Sequence, residues 1–402
     1  MTKTENWLGT ELELEIERVA HGGIFVARHQ GRVVFVSHTA PGEKVRARVF
    51  EDKGGSFARA ETIEVIEPSE NRVPHIWKEA ERLGAGGAEF GHLKLDYQRK
   101  LKSEVLAESL SRMAGLERQV EVQQVPGDEL TNGLGYRTRI QLHVSPEGVA
   151  GPYKERTHEV VPVKSLPLAN SEINELGIHL KNWQDVKRIE IATASTGGVQ
   201  WLIDKKVKGD KKLVERALGR SFRISSGGFW QVHKGAAELL AGEILDLASG
   251  LDLEANNLDL YGGVGLFSGA LASKFGKELN VTTVESSKVA TADAASNLVD
   301  LSKHRAVAAP VEGFLKAQIK QGLVLDAATV VLDPPRAGAG KAVIDQLVFL
   351  RPAKIIYVAC DPVSLARDLK LLTSAGYQLE QIKAFDLFPH THHFETIASL
   401  VL

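Results

Sequence analysis

The chain has 402 residues, 43% apolar and 25% charged, which is the composition of an ordinary globular protein with room for two or three domains. Its single cysteine excludes an internal disulfide and a cysteine-rich metal site. No apolar run approaches the length of a membrane span, and the first residues lack a signal peptide, so we expect a cytoplasmic protein without a membrane partner. The net charge of −2 predicts that any RNA contact depends on local basic patches.

The first predicted unit, residues 1–68, is a small β-barrel. Leu12, Leu14 and Ile16 alternate with glutamates, and glycine and proline turns separate the alternating runs that follow. The segment resembles a TRAM domain, an RNA-binding barrel of the oligonucleotide-binding (OB) type; a barrel that serves only for packing is the alternative. The resemblance lies in His21-Gly22-Gly23-Ile24, Val33-Val34-Phe35-Val36 and Ala40-Pro41-Gly42-Glu43.

The second predicted unit, residues 69–224, is rich in β-structure and is expected to bind RNA. An amphipathic helix is predicted over 93–118, from apolar residues at helical spacing. Eight lysines and arginines stand against three acids between residues 204 and 223. This patch suits contact with RNA phosphates, and a solvated hairpin face is the alternative.

The third predicted unit, residues 225–402, alternates strands and helices and is predicted to be an α/β, Rossmann-like, doubly wound sheet. Two closing strands are expected near the end of the chain. The predicted helices are 234–250, a helix from 266, 288–300, 340–350 and a helix from 364; the predicted strands are 259–261, 281–285, 329–332, 354–358, 378–388 and 394–402.

The only cysteine, Cys360, follows the apolar run 354–358 and precedes a predicted helix. The carboxyl end of a buried strand is where open α/β sheets place their chemistry. A helix amino terminus lowers the pKa of a thiol, so the position suits a nucleophile. The alternative is a small apolar side chain that completes a core strand.

A glycine turn, 262–265, separates a predicted strand from a predicted helix, and Glu285 ends the next strand. Such a turn lets a cofactor approach the backbone, and an acid at the second position can hold two ribose hydroxyls. A dinucleotide site shares these features. Because no basic residue for phosphate stands nearby, the pattern favours S-adenosyl-L-methionine.

Three further motifs supply polar groups. Asp333 precedes two prolines, which fix a rigid turn able to hold the polar edge of a substrate. Three histidines precede Glu395; they suggest a metal site, but a carboxylate base placed by a histidine loop is the stronger interpretation. Gln231 has a planar amide that suits a pyrimidine edge or a cofactor carboxylate, or it belongs to an aromatic core.

Taken in their order along the chain, the motifs resemble the RNA uracil-C5 methyltransferases. Together with the barrel they resemble the TRAM-containing 23S ribosomal RNA 5-methyluridine branch. The resemblance covers nearly the whole chain. The motifs that carry it are Phe229-Trp230-Gln231, the run 259–268, Leu332-Asp333-Pro334-Pro335-Arg336, the runs 357–362 and 365–368, and the run 386–395.

The resemblance implies a class I S-adenosyl-L-methionine-dependent enzyme. In the implied reaction the Cys360 thiolate adds to C6 of uracil, C5 takes the methyl group and Glu395 removes the C5 proton. Arg336 is expected to bind the substrate, and any of Asp333, Arg336 and Gln231 could hold the uracil edge or stabilise the enolate. The resemblance also implies that the helix over 93–118 packs on the third unit, which would be the catalytic unit. The cofactor-binding residues implied are Gln231, Tyr261, Gly263, Gly265, Glu285 and Asp333.

The chain departs from the family pattern in several places. Many members hold an iron–sulfur cluster with four cysteines, whereas residues 85–88 here are Ala-Gly-Gly-Ala and Ser165 stands where a later cysteine is expected, so no cluster is expected. Asp361 and His233 replace usual asparagines, and Gly262 replaces a common cysteine. Asp361 would place a negative charge beside the thiol and raise its pKa.

The resemblance favours 23S ribosomal RNA over transfer RNA as the partner, because bacterial transfer-RNA members usually lack the barrel. We expect a monomer. A cytosine-C5 methyltransferase would use two cysteines. A non-catalytic RNA-binding module would not need Cys360 and Glu395, and a small-molecule or protein methyltransferase would not need the barrel.

Overall fold

The computed structural model describes residues 6–402. Within them, the first five strands close into a barrel in the order β1-β2-β3-β5-β4, with only β3 and β5 parallel. The alternation of β1 buries Leu12, Leu14 and Ile16 in the barrel, as predicted. These strands are β1 (Glu11–Ala20), β2 (Ile24–His29), β3 (Arg32–Ser37), β4 (Lys44–Asp52) and β5 (Phe57–Glu67).

The middle of the chain forms an antiparallel sheet of the order β11-β10-β9-β7-β8 and a separate hairpin, β12–β13. Its elements are α1 (Lys78–Leu83), α2 (Leu95–Ser109), a π-helical turn (Leu110–Ala114), β6 (Val122–Gln124), α3 (Asp128–Thr131), β7 (Arg139–Val144), β8 (Ala150–Gly151), α4 (Ser171–Glu175), a 3-10 turn (Ile178–Leu180), β9 (Arg188–Thr193), β10 (Val199–Ile203), β11 (Lys206–Gly209), β12 (Lys212–Ala217) and β13 (Arg220–Ser225).

The helix predicted over 93–118 is shorter than expected, because Gly115 ends it in a left-handed conformation with φ 69°. It nevertheless bridges two cores. Leu101 and Val105 pack into the barrel core, whereas Leu106 and Leu110 pack beneath the large sheet of the third unit. α2 therefore holds the barrel against that sheet.

The rest of the chain, together with β6 from the middle, builds a mixed sheet of the order β16-β15-β14-β17-β18-β20-β19-β6, which confirms the doubly wound prediction. The first five strands are parallel, and β20 runs antiparallel between β18 and β19. Its remaining elements are α5 (Ala236–Leu247), β14 (Asn257–Leu260), α6 (Leu266–Phe275), β15 (Val281–Glu285), α7 (Lys288–Asn297), β16 (His304–Ala308), α8 (Val311–Lys320), β17 (Thr329–Leu332), α9 (Gly340–Leu350), β18 (Lys354–Ala359), α10 (Pro362–Ser374), β19 (Gln378–Asp386) and β20 (Glu395–Val401).

Successive side chains of the central strands enter two apolar layers on opposite faces of this sheet. In β18, Ile355 and Tyr357 lie in one layer, and Ile356 and Val358 lie in the other. Burial on both faces explains why these strands read as continuous apolar runs. Across residues 6–402, every helix is too short or too polar to cross a membrane.

Candidate active site

The ends of neighbouring strands gather the expected chemical groups along one edge of the large sheet. Glu285, Tyr261, Asp333 and Cys360 stand at or directly after the carboxyl ends of β15, β14, β17 and β18. Glu395 begins the antiparallel strand β20. In the register of β20 with β18, the residue after Glu395 pairs with the residue before Cys360. With strands roughly 4.8 Å apart, these groups span roughly 20 Å.

Cys360 lies between β18 and α10 and is partly buried. Burial, followed by the negative charges of Glu395 and Asp333, raises its pKa to about 12, and Arg336 only partly opposes them. The expectation of a thiol activated by the helix amino terminus is therefore wrong for the protein without ligands. Desolvation and two nearby carboxyl groups outweigh the helix.

Asp361, the residue after the thiol, begins α10. One carboxylate oxygen accepts a hydrogen bond from the backbone N–H of Ser364 at 2.8 Å, and the other lies 2.8 Å from Nε2 of His21 in the barrel. These partners hold the pKa of Asp361 down at about 2 despite its burial. The carboxylate thus serves as the helix cap and as a link to the barrel.

Glu395 is buried, with 6% of its surface exposed. Burial, followed by the charge of Asp333, raises its pKa well above the ordinary value, and Arg336 opposes this. Within residues 6–402, its Oε2 atom has no hydrogen-bond partner. A carboxyl group of raised pKa with an open oxygen is suited to accept a proton.

The loop before Glu395 is held in place by α2. The backbone N–H of His390 donates to Gln98 at 2.8 Å, and its Nε2 lies 2.8 Å from the carbonyl oxygen of Asn132. Below it, the buried Lys102 donates to the buried Asp386 at 2.5 Å. The packing of this helix on the third unit was predicted, but these partners were not, since α2 lies almost 300 positions earlier.

The other two histidines of the loop face different partners. His392 Nδ1 lies 3.6 Å from a carboxylate oxygen of Glu89, and His393 Nε2 lies 3.2 Å from Nη2 of Arg336. The described part of the chain contains no cluster of metal-ligating side chains. Glu89 was not among the site residues predicted from the sequence. Its pKa is lowered to about 2, in part by His392 and His393.

On the expected cofactor side, the glycine turn has the backbone that only glycine adopts easily. Gly263 and Gly265 have φ of 54° and 89°, and a Cβ atom on Gly265 would stand 2.7 Å from Leu298. The N–H of Gly263 lies 3.3 Å from a carboxylate oxygen of Glu285. Tyr261, also at positive φ, begins the turn.

A second carboxyl group lies behind this turn. Asp259 is fully buried and accepts hydrogen bonds from the N–H and hydroxyl of Ser268, while within residues 6–402 its Oδ1 atom has no partner. Burial raises its pKa to about 6. Burial and the charge of Asp259 raise the pKa of Asp333 to about 7. Both acids are suited to a cationic ligand.

Gln231 lies apart from the strand ends, in the segment between β13 and α5. Its side chain is buried, with 7% exposed. The neighbouring His233 has a structural environment, with Nε2 3.1 Å from Asp128 and its ring stacked on Tyr136. These structural contacts belong to His233 and not to Gln231, so the amide of Gln231 remains a candidate for a ligand contact.

A cavity of about 130 Å³ opens beside the thiol. Its wall brings together Cys360, Arg336, the histidine loop and the barrel turn between β1 and β2. The expected cofactor residues do not line it, so the two parts of the predicted site are separate in this structure. Those residues are Gln231, Tyr261, Gly263, Gly265, Glu285 and Asp333.

The predicted basic patch has two parts. Lys212 and Arg220 pair with Asp293 and Asp300 at 3.2 and 2.5 Å, which fixes the β12–β13 hairpin against α7. The other six basic residues, at 205, 206, 208, 211, 216 and 223, are exposed. Only the exposed part suits contact with a nucleic acid.

Comparison with known proteins gives consistent results. The family described as tRNA (Uracil-5-)-methyltransferase matches residues 205–401, and the TRAM domain matches residues 7–63. An "Uncharacterized RNA methyltransferase" of Streptomyces avermitilis is 39% identical over 98% of each chain. One of Bifidobacterium longum is 33% identical over 96% of each chain.

A solved structure has the same fold over almost the whole chain. It is the tRNA (uracil-54, C5)-methyltransferase of Pyrococcus abyssi in complex with S-adenosyl-L-homocysteine. The TM-score is 0.73 at 22% identity, and the match covers 97% of this chain and 100% of the other. It therefore includes the barrel as well as the large sheet.

Proposed function

Because this chain belongs to the tRNA (uracil-5-)-methyltransferase family and is an S-adenosyl-L-methionine-dependent RNA methyltransferase, we propose that it methylates C5 of a specific uridine. The observation that supports this best is the β18–β20 pairing, which sets Cys360 beside Glu395 at one strand edge. A thiol next to a carboxyl base is the pair of groups that substitution at C5 of uracil requires.

In the proposed reaction, Cys360 acts first. Its sulfur donates an electron pair to C6 of the uracil, and the C5=C6 electrons move into the ring to give an enolate with electron density at C5. Since the thiol pKa is about 12 in the protein without ligands, the thiol must lose its proton to solvent water as the substrates bind. Arg336 lines the cavity and opposes the raised pKa of the thiol, which supports a role for it in stabilising the negative charge.

When bound, S-adenosyl-L-methionine would supply the methyl group to C5, as its sulfonium C–S bond breaks and S-adenosyl-L-homocysteine leaves. Glu395 then removes the proton left on C5, and the electron pair of that C–H bond restores C5=C6 as the bond from C6 to sulfur breaks. The Cys360 thiolate is released. A buried base of raised pKa takes up this proton more readily than an ordinary carboxylate.

The glycine turn and its neighbours fit the cofactor. Positive φ at Gly263 and Gly265 leaves the backbone open to close approach, and Glu285 at the next strand end would accept hydrogen bonds from two ribose hydroxyls. The acids Asp259 and Asp333 would favour the positive sulfonium. Gln231 offers a buried amide for a polar edge.

The RNA proposed is 23S ribosomal RNA, because the barrel is typical of that branch. Transfer RNA is the second candidate, because the Pyrococcus abyssi enzyme, named for a transfer-RNA uridine, matches over its whole length. The barrel therefore does not separate these two RNAs by itself. In either case the target base must leave its stack to reach Cys360.

The test is tritium release. Ribosomal and transfer RNA labelled at C5 of uridine, taken from cells lacking this protein, are incubated with enzyme and S-adenosyl-L-methionine. We expect tritium in water from one RNA fraction, loss of release in Cys360→Ala, and an RNA–protein adduct stable to denaturation in Glu395→Gln. The exposed Glu254→Gln, at the other end of the sheet, serves as the matched control. Full release by Cys360→Ala would refute the nucleophile.

A further inference from the structure

The turn between β1 and β2 joins the barrel to both loops that contain the chemical groups. His21 lies 2.8 Å from Asp361, the residue after the thiol. On the other side, Gly23 packs so closely on the histidine loop that a Cβ atom there would stand 2.9 Å from Cβ of His392. Ala20, His21, Gly22 and Gly23 all line the cavity that Cys360 also lines.

The contact with Asp361 has a specific chemical consequence. Its Oδ1 atom is occupied by the N–H of Ser364, so Oδ2, the oxygen facing the barrel, is the one left for a partner. A carboxylate directly after the thiol opposes thiolate formation unless its charge is compensated. The bond to Asp361 raises the pKa of His21, which favours the charged imidazolium at this position.

We propose that His21 is a positioning residue of the active site, in which the barrel turn closes the uridine cavity and the imidazolium neutralises Asp361 beside Cys360. The inference rests on the proposed role of Cys360. It makes the barrel a part of the catalytic site in addition to an RNA-binding module. The site would then be incomplete in a chain whose barrel is displaced.

The other charged groups around the cavity do not take this role. Lys102 donates to Asp386, and Arg336 lies against His393. Besides Asp361, the acids near the thiol are Glu395 and Asp333, and His392 lies against Glu89. Among the contacts of the described residues, the cationic partner of Asp361 is His21.

The test uses the fact that Cys360 is the only cysteine, so the alkylation rate of the whole protein reports on this thiol. In the intact chain, without RNA or cofactor, iodoacetamide rates are measured from pH 6 to pH 9 for the wild type and His21→Ala. His158→Ala, which removes an exposed histidine elsewhere, is the control. The variant is expected to react roughly three- to tenfold more slowly at pH 6, since a nearby charge shifts a pKa by about half to one unit.

The pH dependence separates charge from packing. His21 is protonated below its raised pKa and neutral well above it, so the two rates should converge towards pH 9. Asp361→Asn retains a side-chain oxygen for the helix cap and removes the negative charge. In that background, His21→Ala should have no further effect on the rate.

A deficit of equal size at all pH values, or one that persists with Asp361→Asn, would overturn the proposal and leave His21 a packing residue. An unchanged rate in His21→Ala would overturn it too. The alkylation assay needs neither RNA nor methyl transfer. A chain that shows the expected rates but releases no tritium would therefore refute the proposed function and leave the charge pairing intact.

Discussion

The carboxyl group of Asp333 has an energetic cost that an asparagine would not have. Its pKa of about 7 compares with 3.8 for an ordinary aspartate, because the group is desolvated and faces Asp259. Each unit of difference between the two pKa values corresponds to about 1.4 kcal/mol. Ionising Asp333 in the folded chain therefore costs at most about 4 kcal/mol more than ionising an ordinary aspartate. The side chain is partly exposed and water screens it, which reduces the expected value to about 2–3 kcal/mol.

The sign of the pH dependence follows from proton binding. The folded chain holds this proton more tightly than the unfolded chain, so the wild-type stability falls as the pH rises from about 4 to about 7. Asp333→Asn removes the ionisation. We therefore expect the variant to be more stable than the wild type by about 1 kcal/mol at pH 5 and about 2–3 kcal/mol at pH 8.

The assay is urea unfolding at the two pH values, followed by tryptophan fluorescence. Trp230 is buried in one apolar layer of the large sheet and reports on that part of the fold. Asp326→Asn, an exposed change at the other end of the same strand, should alter the stability by less than about 0.5 kcal/mol. A gain of equal size at both pH values, or a loss at both, would refute the reasoning. Methylation by Asp333→Asn is expected to fall, since the acid lies at the proposed cofactor site.

Two further predictions concern stability. Lys102→Met leaves the buried Asp386 unpaired and should lower the free energy of unfolding by about 3–5 kcal/mol. The double variant Lys102→Met with Asp386→Leu should recover most of this loss, because neither charge is then buried alone. Equal urea midpoints for the single and double variants would contradict this prediction. Gly265→Ala places a Cβ atom 2.7 Å from Leu298 at a residue of positive φ, so it should lower the free energy of unfolding by about 1–3 kcal/mol. It should also weaken the binding of S-adenosyl-L-homocysteine measured by calorimetry. Unchanged binding would contradict the proposed role of the turn.

The sequence was most informative for the buried parallel strands. β15 and β17 begin and end at the residues predicted, 281–285 and 329–332, because both are short runs rich in β-branched valine and threonine, which favour strands. The helix over 93–118 was predicted too long. Apolar spacing continues through Met113, but it contains no information about the π-helical turn or about the left-handed Gly115.

Contacts between distant parts of the chain were beyond such reasoning. His21 and Asp361 are 340 positions apart, and no local pattern relates them. The wrong expectation for the thiol has the same origin. A helix amino terminus is visible in the sequence, but the carboxyl groups that raise the pKa of Cys360 approach it only through the order of β17, β18 and β20 in the sheet.

The position of β20 also determines when the sheet can be completed during synthesis of the chain. This strand, Glu395–Val401, lies between β18 and β19, and both precede it in the chain. While the ribosome is still making the preceding loop, β18 lacks a neighbour on one side and β19 has no partner towards the sheet centre. The same strand supplies Glu395, the proposed base. Until Glu395–Val401 has been synthesised, the sheet is therefore unprotected at this position and the proposed proton acceptor is missing, so a single strand completes both the sheet and the proposed site.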